Sequence, residues 1–441
     1  MVVFALLLPL LTPMVQVTSA QPLNGGSDPG VSDTPTWRIG DRWIYSGVFD
    51  PTVLITDSGV SASVGEIRGD TTTTVKAIRE QVVDNVSTLV YDLQGTANFD
   101  KDGVELDGFS GNVEIQYTLD EVIRVSDMAT INSDLSLYVR FIPYGLSSLA
   151  TDIADITIAT SYAPAREDYD FPIRDGETWT SNYFSSSSWS GSSEYITPFP
   201  APTSGQNNSN WEVTAIGRPI DDYNQQIAYA GCEASYELRS YADDGTEESF
   251  KWYCPEVNNY AWSHTEEDIG LIIDFRLKQY IPVSSSGVDA SSDPGTRNDV
   301  VKVELEEPVT ALDVPMGVWV NLTDSSGIPR VGVDVQLRHE IEQEIQNAIT
   351  GFNGSAWFTI DLGDKQDATP TSIDYASHGI VAIENGRIGV ASITLDENVV
   401  ALDLVAAIER VNIARNRSGV ITNLNAISGY NVLPGDVLDV E

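Results

Sequence analysis

Apolar side chains recur at every second position through most of this chain. Val113, Ile115, Tyr117 and Leu119 form one such series, Leu135, Leu137, Val139 and Phe141 a second, and Leu271, Ile273, Phe275 and Leu277 a third. A period of two puts each series on one face of a strand, whereas a helix needs a period near 3.6. Turn sequences separate the runs, as at Phe99-Asp100-Lys101-Asp102-Gly103-Val104, after an alternating stretch from Thr71 to Phe99. The chain is therefore expected to be mainly all-β. Two segments stand apart. Leu146 to Thr160 places Leu149, Ile153 and Ile156 at helical spacing and is expected to form a short helix. Ser181 to Asn210, dense in serine, is expected to be a long exposed loop. His339 to Ile349 has a helical composition, but its apolar residues keep the odd positions of the preceding strand, which predicts a strand and hairpin.

Ala230 to Trp262 holds both cysteines of the protein, in two strand-like runs about Ala242-Asp243-Asp244-Gly245. Asp-Asp-Gly suits a type I turn closed by a left-handed glycine, so a β-hairpin is predicted. Cys232, Ala234, Tyr236 and Leu238 share one face of the first arm, and Phe250, Trp252 and Cys254 one face of the second. Direct pairing of Cys232 with Cys254 sets Ala234 opposite Trp252 and Tyr236 opposite Phe250. The turn glycine prefers a register two residues away, which a bulge or a longer loop would reconcile. An even cysteine count behind an export signal favours a disulfide, the alternative being two buried thiols. The spacing is neither a CxxC redox pair nor a multi-cysteine metal site.

Residues 1–20 read as a signal peptide: Val2 to Leu11 is apolar, and Val17-Thr18-Ser19-Ala20 is a small-residue cleavage pattern. Its basic start is missing, since the first positive side chain is Arg38. Residues 21–36 are expected to be a flexible leader, and residues 37–282 an antiparallel β-domain. Residues 283–299, VSSSGVDASSDPGTRND, form a Ser/Gly linker. Seven of nine tryptophans precede it, so the two sides are expected to have different cores. Residues 300–405 alternate again at Val318, Val320 and Leu322, at Val331, Val333, Val335 and Leu337, and at Ala356, Phe358 and Ile360. Short strands with frequent turns predict a β-sandwich. Residues 406–441 are expected to begin a further, truncated β-module.

The formal net charge of −41, from 65 acidic and 24 basic side chains, repels phosphate backbones and anionic membranes, so nucleic acid is not an expected partner. At 41% hydrophobic the chain still has enough apolar mass to bury real cores. No stretch after the signal peptide reaches the roughly 18 apolar residues of a spanning helix, so an exported chain without a transmembrane segment is expected, extracellular or on the cell surface.

Two resemblances accompany these readings. Val320-Asn321-Leu322-Thr323-Asp324, then Gly327-Ile328-Pro329-Arg330-Val331-Gly332-Val333 and Thr350-Gly351-Phe352-Asn353-Gly354-Ser355-Ala356-Trp357-Phe358, resembles bacterial and archaeal Ig-like surface domains. That resemblance implies an Ig-like β-sandwich and is silent on ligand. Phe171-Pro172-Ile173-Arg174-Asp175-Gly176-Glu177-Thr178-Trp179 and the strand end Trp252 to Val257 resemble, more weakly, the LolA-like lipoprotein-carrier group and its uncharacterised secreted relatives. There the implied fold is a curved antiparallel half-barrel whose groove binds acyl chains.

No constellation in the chain specifies a reaction. The three histidines are His264, His339 and His378. His339-Glu340-Ile341-Glu342-Gln343 has glutamine where a zinc protease places its second histidine. His264 beside Glu266, Glu267 and Asp268 is a lone histidine among acids, and His378 has no nucleophile elbow to serve. Asp100, Asp102, Glu105 and Asp107 crowd one turn without the spacing of a calcium loop. No catalytic, cofactor or metal residues are assigned. Asn85, Asn207, Asn321, Asn353 and Asn416 open N-x-S/T sequons and are candidate glycosylation sites. The leading expectation is a non-enzymatic exported or cell-surface protein serving as a structural, adhesive or binding module among cell-envelope components. The alternatives are a carrier or sensor of an apolar, lipid-like ligand and a secreted hydrolase. A β-domain that is solid inside favours the first, a Trp-, Tyr- and Leu-lined groove the second, and carboxylates converging in a polar cleft the third.

Overall fold

The computed structural model describes residues 31–50, 62–83, 86–193, 201–220, 227, 229–242, 245–267, 271–283, 299–306, 309–310, 315–339, 344–360, 377–395, 413–417, 420–424 and 437–440. Twelve strands build the first domain: β1 (Arg42–Asp50), β2 (Ile67–Val83), β3 (Val86–Leu106), β4 (Phe109–Arg124), β5 (Thr130–Pro143), β6 (Thr151–Arg166), β7 (Thr178–Ser193), β8 (Thr203–Gly217), β9 (Ser235–Tyr241), β10 (Glu247–Cys254), β11 (Asn259–Glu267) and β12 (Leu271–Ile281). Each pairs antiparallel with the next in sequence, and β12 pairs with β1 through Trp43↔Tyr280 and Tyr45↔Leu277. The sheet therefore closes on itself as an up-and-down barrel, with the short strand Ala62–Ser63 added beside β3. All-β is as expected. The half-barrel is not, because the ring has no open side.

The alternation read from sequence is the inside and outside of this ring. On β1, Trp43, Tyr45 and Phe49 point inward and are 0–4% exposed. On β4 and β5, Tyr117 and Phe141 are buried while Glu114, Gln116 and Asp120 stand outside. A bilayer-spanning barrel carries its apolar band outward, the reverse of this wall. No helix among the described residues is long and apolar enough to cross a membrane. Bulges, such as those at Val75/Ala77 and Trp252/Tyr253, bend the strands into the ring. Gly47 and Gly69 sit opposite each other and make room for Phe99, whose ring would lie 2.3 Å from a Cβ at Gly69.

Three expectations need correction. Leu146 to Thr160 is a single 3-10 turn, Ser147–Leu149, followed by β6, because Ile156, Ile158 and Thr160 are β-branched and alternate inward. Within Ser181 to Asn210, residues 181–193 and 203–210 belong to β7 and β8, paired from Thr178↔Glu212 to Ser187↔Thr203, and residues 194–200 lie outside the described residues. In β7 the odd residues Tyr183, Ser185, Ser187 and Trp189 form one face, a period that serine-rich composition hides. The hairpin is real and Gly245 is left-handed (φ +83°), but its register is Tyr236↔Tyr253 and Leu238↔Lys251, with the bulge at Ser240/Tyr241. The offset from the expected pairing is odd, so it exchanges the two faces of β10. Asp243 and Asp244 lie outside the described residues.

Beyond the barrel, β13 (Val301–Leu305), β15 (Met316–Leu322) and β18 (Ser355–Ile360) form one sheet. The other is ordered β14 (Val309–Thr310), β20 (Arg387–Leu395), β19 (Ser377–Glu384), β16 (Asp334–His339), β17 (Glu344–Ile349). Val318, Val320 and Phe358 from the first meet Leu337, Ile380 and Ile393 from the second in a shared core. His339 to Ile349 is strand and hairpin, as read, with His339↔Glu344 in register. Val331 is exposed before the start of β16, so the inward series there begins later than expected.

The sandwich is seated on the barrel. Val381, Ile388 and Val390 are buried in one cluster with Trp37, Tyr91 and Val125, so the two sides share part of a core. Arg338 pairs with Glu80 at 2.5 Å and Arg38 with Asp299 at 2.7 Å. Residues 31–36, read as the end of a flexible leader, are packed: Val31–Ser32 pair with Ile173–Arg174, and Asp33 accepts from the backbone N–H of Ser392 at 2.7 Å. The signal peptide and residues 284–298 of the linker lie outside the described residues. A separate compact unit, Glu397–Glu441, holds a small sheet of Ile413–Arg417, Val420–Leu424 and Val437–Val440.

Candidate binding site inside the barrel

Large aromatic side chains fill much of the barrel interior, among them Trp43, Tyr45, Phe49, Phe99 and Tyr117. Here four ionisable groups interrupt the filling: Glu121, Arg166, Asp168 and Lys251. Glu121 is the next inward position after Leu119 on β4. Arg166 ends β6, Asp168 follows in the segment that leads to Ile173–Arg174, and Lys251 comes from β10. The odd register offset of the hairpin is what turns Lys251 inward, opposite Leu238, and sends Phe250 and Trp252 to the outer wall.

Asp168 is the hub. Lys251 Nζ donates to its Oδ2 at 2.6 Å and an Arg166 terminal nitrogen donates to the same oxygen at 3.1 Å. Arg166 Nε lies 3.0 Å from Oδ1 without a hydrogen bond's alignment. Arg166 also donates to the Tyr162 hydroxyl at 2.9 Å, and Lys251 Nζ sits 5.4 Å from the centre of the Tyr169 ring. Burial alone would push the Asp168 carboxyl up, but Arg166 and Lys251 more than offset it and hold the group at about 2. Arg166 is pushed the other way: burial disfavours its charge, yet Asp168 keeps it protonated.

Glu121 differs. Among the described residues no donor reaches its carboxylate, and it faces a cavity of about 120 Å³. Burial raises its proton affinity, Arg166 and Lys251 oppose the shift, and Asp168 adds to it. The side chain retains some accessible surface because the cavity, rather than bulk water, lies in front of it. Leu93, Tyr117, Leu119 and Phe275 supply apolar walls, and Thr71, Thr73 and Asn259 supply polar ones. Two carboxylates in one site are thus driven in opposite directions, an arrangement typical of functional centres.

A polar wall runs along the same inner face. Thr160 and Ser187 hydroxyls are 3.0 Å apart, Asn207 Nδ2 donates to Ser185 Oγ at 2.6 Å, and Tyr183 and Ser209 hydroxyls are 3.3 Å apart. Tyr183 packs edge-on to Tyr162, which contacts Arg166. Ser185 and Ser187 are half-buried and Asn207 is exposed, so this wall is wet at its far end.

Of the residues singled out from sequence, Cys232 and Cys254 are bonded, with Cα atoms 5.5 Å apart. They are not cross-strand partners: Cys254 pairs with Asn259, and Cys232 precedes β9. With Glu256 they form the one grouping of three metal-ligand types among the described residues, but neither sulfur is a free thiolate. Asn207 lies on the polar wall, Asn321 on the outer face of β15 and Asn353 in an exposed turn. The side chains of Asn85 and Asn416 lie outside the described residues, as does that of His378. His264 is stacked on Phe250 and sits 3.4 Å from Asp274, while His339 is buried in the sandwich. None of these converges with the interior cluster. Glu121 had a usable signal, since it continues the series Val113, Ile115, Tyr117, Leu119 with a charge. Lys251 had none without the register. Compared with known protein families and with curated proteins, the sequence matches none.

Proposed function

We propose that this is an exported, non-enzymatic binding protein whose barrel receives a small polar ligand, neutral or zwitterionic, that donates to Glu121. The observation that carries the reading is the unpartnered Glu121 carboxylate facing the cavity beside the Arg166–Asp168–Lys251 cluster. Replacing a buried ion cluster by apolar residues is often neutral or stabilising, so stability does not account for it. With Glu121 ionised the four groups sum to zero charge, which suits a ligand with no net charge.

Size argues in the same direction. The cavity, at about 120 Å³, is well below the roughly 300 Å³ at which drug-sized pockets begin. A long acyl chain, the apolar-carrier alternative, is the poorer fit. The hydrolase alternative has two carboxylates of opposite tendency in its favour, but both oxygens of Asp168 already face cations. The disulfide supports an oxidising, extracytoplasmic setting.

The test is isothermal titration of the full chain against zwitterionic amino acids, small polyols and monosaccharides, with palmitate as the apolar arm. A hit from the polar set should weaken at least tenfold in Glu121→Gln, and should weaken as pH falls and Glu121 gains its proton. Binding of palmitate alone, or a polar ligand indifferent to Glu121→Gln, would overturn the reading.

A further inference from the structure

The two tryptophans of the sandwich occupy the outer face of the sheet β13, β15, β18. Strand register lays this face out in rows. Glu304, Trp319 and Trp357 form the middle row, Lys302, Asn321 and Ser355 the next, and Gly317 and Thr359 the row on the other side. The indole centres are 4.4 Å apart and tilted by 57°, and the residues are 43% and 42% exposed. A Cβ at Gly317 would fall 1.8 Å from the Trp357 ring, so glycine is what lets that indole lie down over the strand. The polar groups around the rings are held in place. Lys302 Nζ pairs with Glu304 at 2.5 Å, Asn321 Nδ2 donates to Glu304 at 2.6 Å, and the Ser355 hydroxyl donates to Asn321 Oδ1 at 2.5 Å.

Sheet stability is a weak reason for this arrangement. A cross-strand aromatic pair contributes at most about 1 kcal/mol, and smaller β-formers would leave less apolar surface in water. We propose that this face binds a neutral glycan chain. A pyranose ring offers an apolar C–H face, which a flat exposed indole matches, and a rim of hydroxyls that need donors and acceptors together. Asn321, Lys302 and Glu304 supply both kinds within one row of the rings. Lys302 offsets Glu304, while Glu306, whose carboxylate accepts from the Gly317 backbone N–H at 3.1 Å, leaves the face negative like the chain of net charge −41, so polyanions are repelled and the matching polymer is uncharged. A protein partner is the poorer occupant. Two half-exposed indoles offer on the order of 200 Å², against about 800 Å² per side in a stable protein interface.

The experiment uses the full chain, free of attached sugar because Asn321 itself opens a sequon, and titrates it with mannohexaose, xylohexaose, cellohexaose and chitohexaose, with heparin as the anionic control. At least one hexaose should bind and change tryptophan fluorescence, while heparin should not bind. Trp357→Ala should weaken that binding at least tenfold, Asn321→Ala, which keeps both rings, several-fold, and Glu121→Gln not at all. Thermal melting confirms that each variant is folded. If none of the four hexaoses binds at millimolar concentration, or if binding survives both sandwich substitutions, the proposal is wrong. Loss of binding in Glu121→Gln alone would assign the sugar to the barrel and overturn it equally.

Discussion

Asp33 is exposed as a residue but packs its carboxyl against Ser392 and Thr34, Asp168 is buried in the barrel, and their surroundings give them opposite effects on stability. Around Asp33 burial dominates, and although the backbone N–H groups of Ser392 and Thr34 act against it, the carboxyl is pushed up to about 6. A folded state that holds a proton more tightly than the unfolded chain is favoured at low pH. The contribution is fully present below about 4, the ordinary value, and is lost as pH rises through about 6. Because the residue as a whole is exposed to solvent, screening leaves Asp33 only a modest penalty at neutral pH. Asp33→Asn keeps the acceptor oxygen, so the variant should melt higher than the wild type at pH 7 and equal it near pH 4, as followed by circular dichroism. Asp168 has the reverse sign, since its stabilisation is present above about 4 and lost as pH falls toward 2. Asp168→Asn leaves Arg166 and Lys251 uncompensated inside the barrel and should cost about 3–5 kcal/mol in urea unfolding. Adding Arg166→Met and Lys251→Met to it should recover much of that loss. A triple variant as weak as the single one would show that the cost lies elsewhere than in unpaired charge.

At the level of elements, strands whose inward residues are apolar were legible and strands whose inward residues are hydroxylated were not. Val113 to Leu119 and Leu135 to Phe141 announced β4 and β5 because hydrophobicity followed the pleat. In β7 the same pleat carries Ser181, Tyr183, Ser185 and Ser187, and composition resembles a loop. Short segments also depend on tertiary pairing more than on their own preference, which is why Leu146 to Thr160 defeated its helical spacing. The hairpin's register was illegible for a different reason: two turn geometries fitted it, and only the neighbours β8 and β11 select one. Gly191 on β7 is at φ +112°, and a Cβ there would lie 2.0 Å from the Asp155 carbonyl oxygen of β6. Gly191→Ala should therefore lower the melting temperature measurably, while alanine at the half-exposed, unobstructed Gly205 on β8 should not. The disulfide closes a separation of 22 residues, for which loop entropy predicts roughly 3 kcal/mol. Reduction should lower the denaturation midpoint by a corresponding amount.

For the whole molecule, the shared cluster of Val381, Ile388 and Val390 with Trp37 and Tyr91 makes barrel and sandwich one cooperative body. Calorimetry should show them melting in a single transition. Gly379 on β19 is the sensitive point, because a Cβ there would fall 2.0 Å from the Ser126 carbonyl oxygen of the barrel. Gly379→Val should split the transition in two; one undivided transition would show that the seating tolerates the added bulk. The division into two β-regions was visible in the linker composition, but their seating was not, since outward Val381 and Val390 look like any alternating strand residues. The pairing of β1 with β12 also bears on how the protein is made. A nascent chain that ends before Ile281 is a curled sheet with two unfinished flanks, one of them lined by Trp43, Tyr45 and Phe49. Until β12 emerges those rings are exposed to water and to neighbouring chains, so the synthesis of that one strand, more than any local turn, limits the yield of folded barrel.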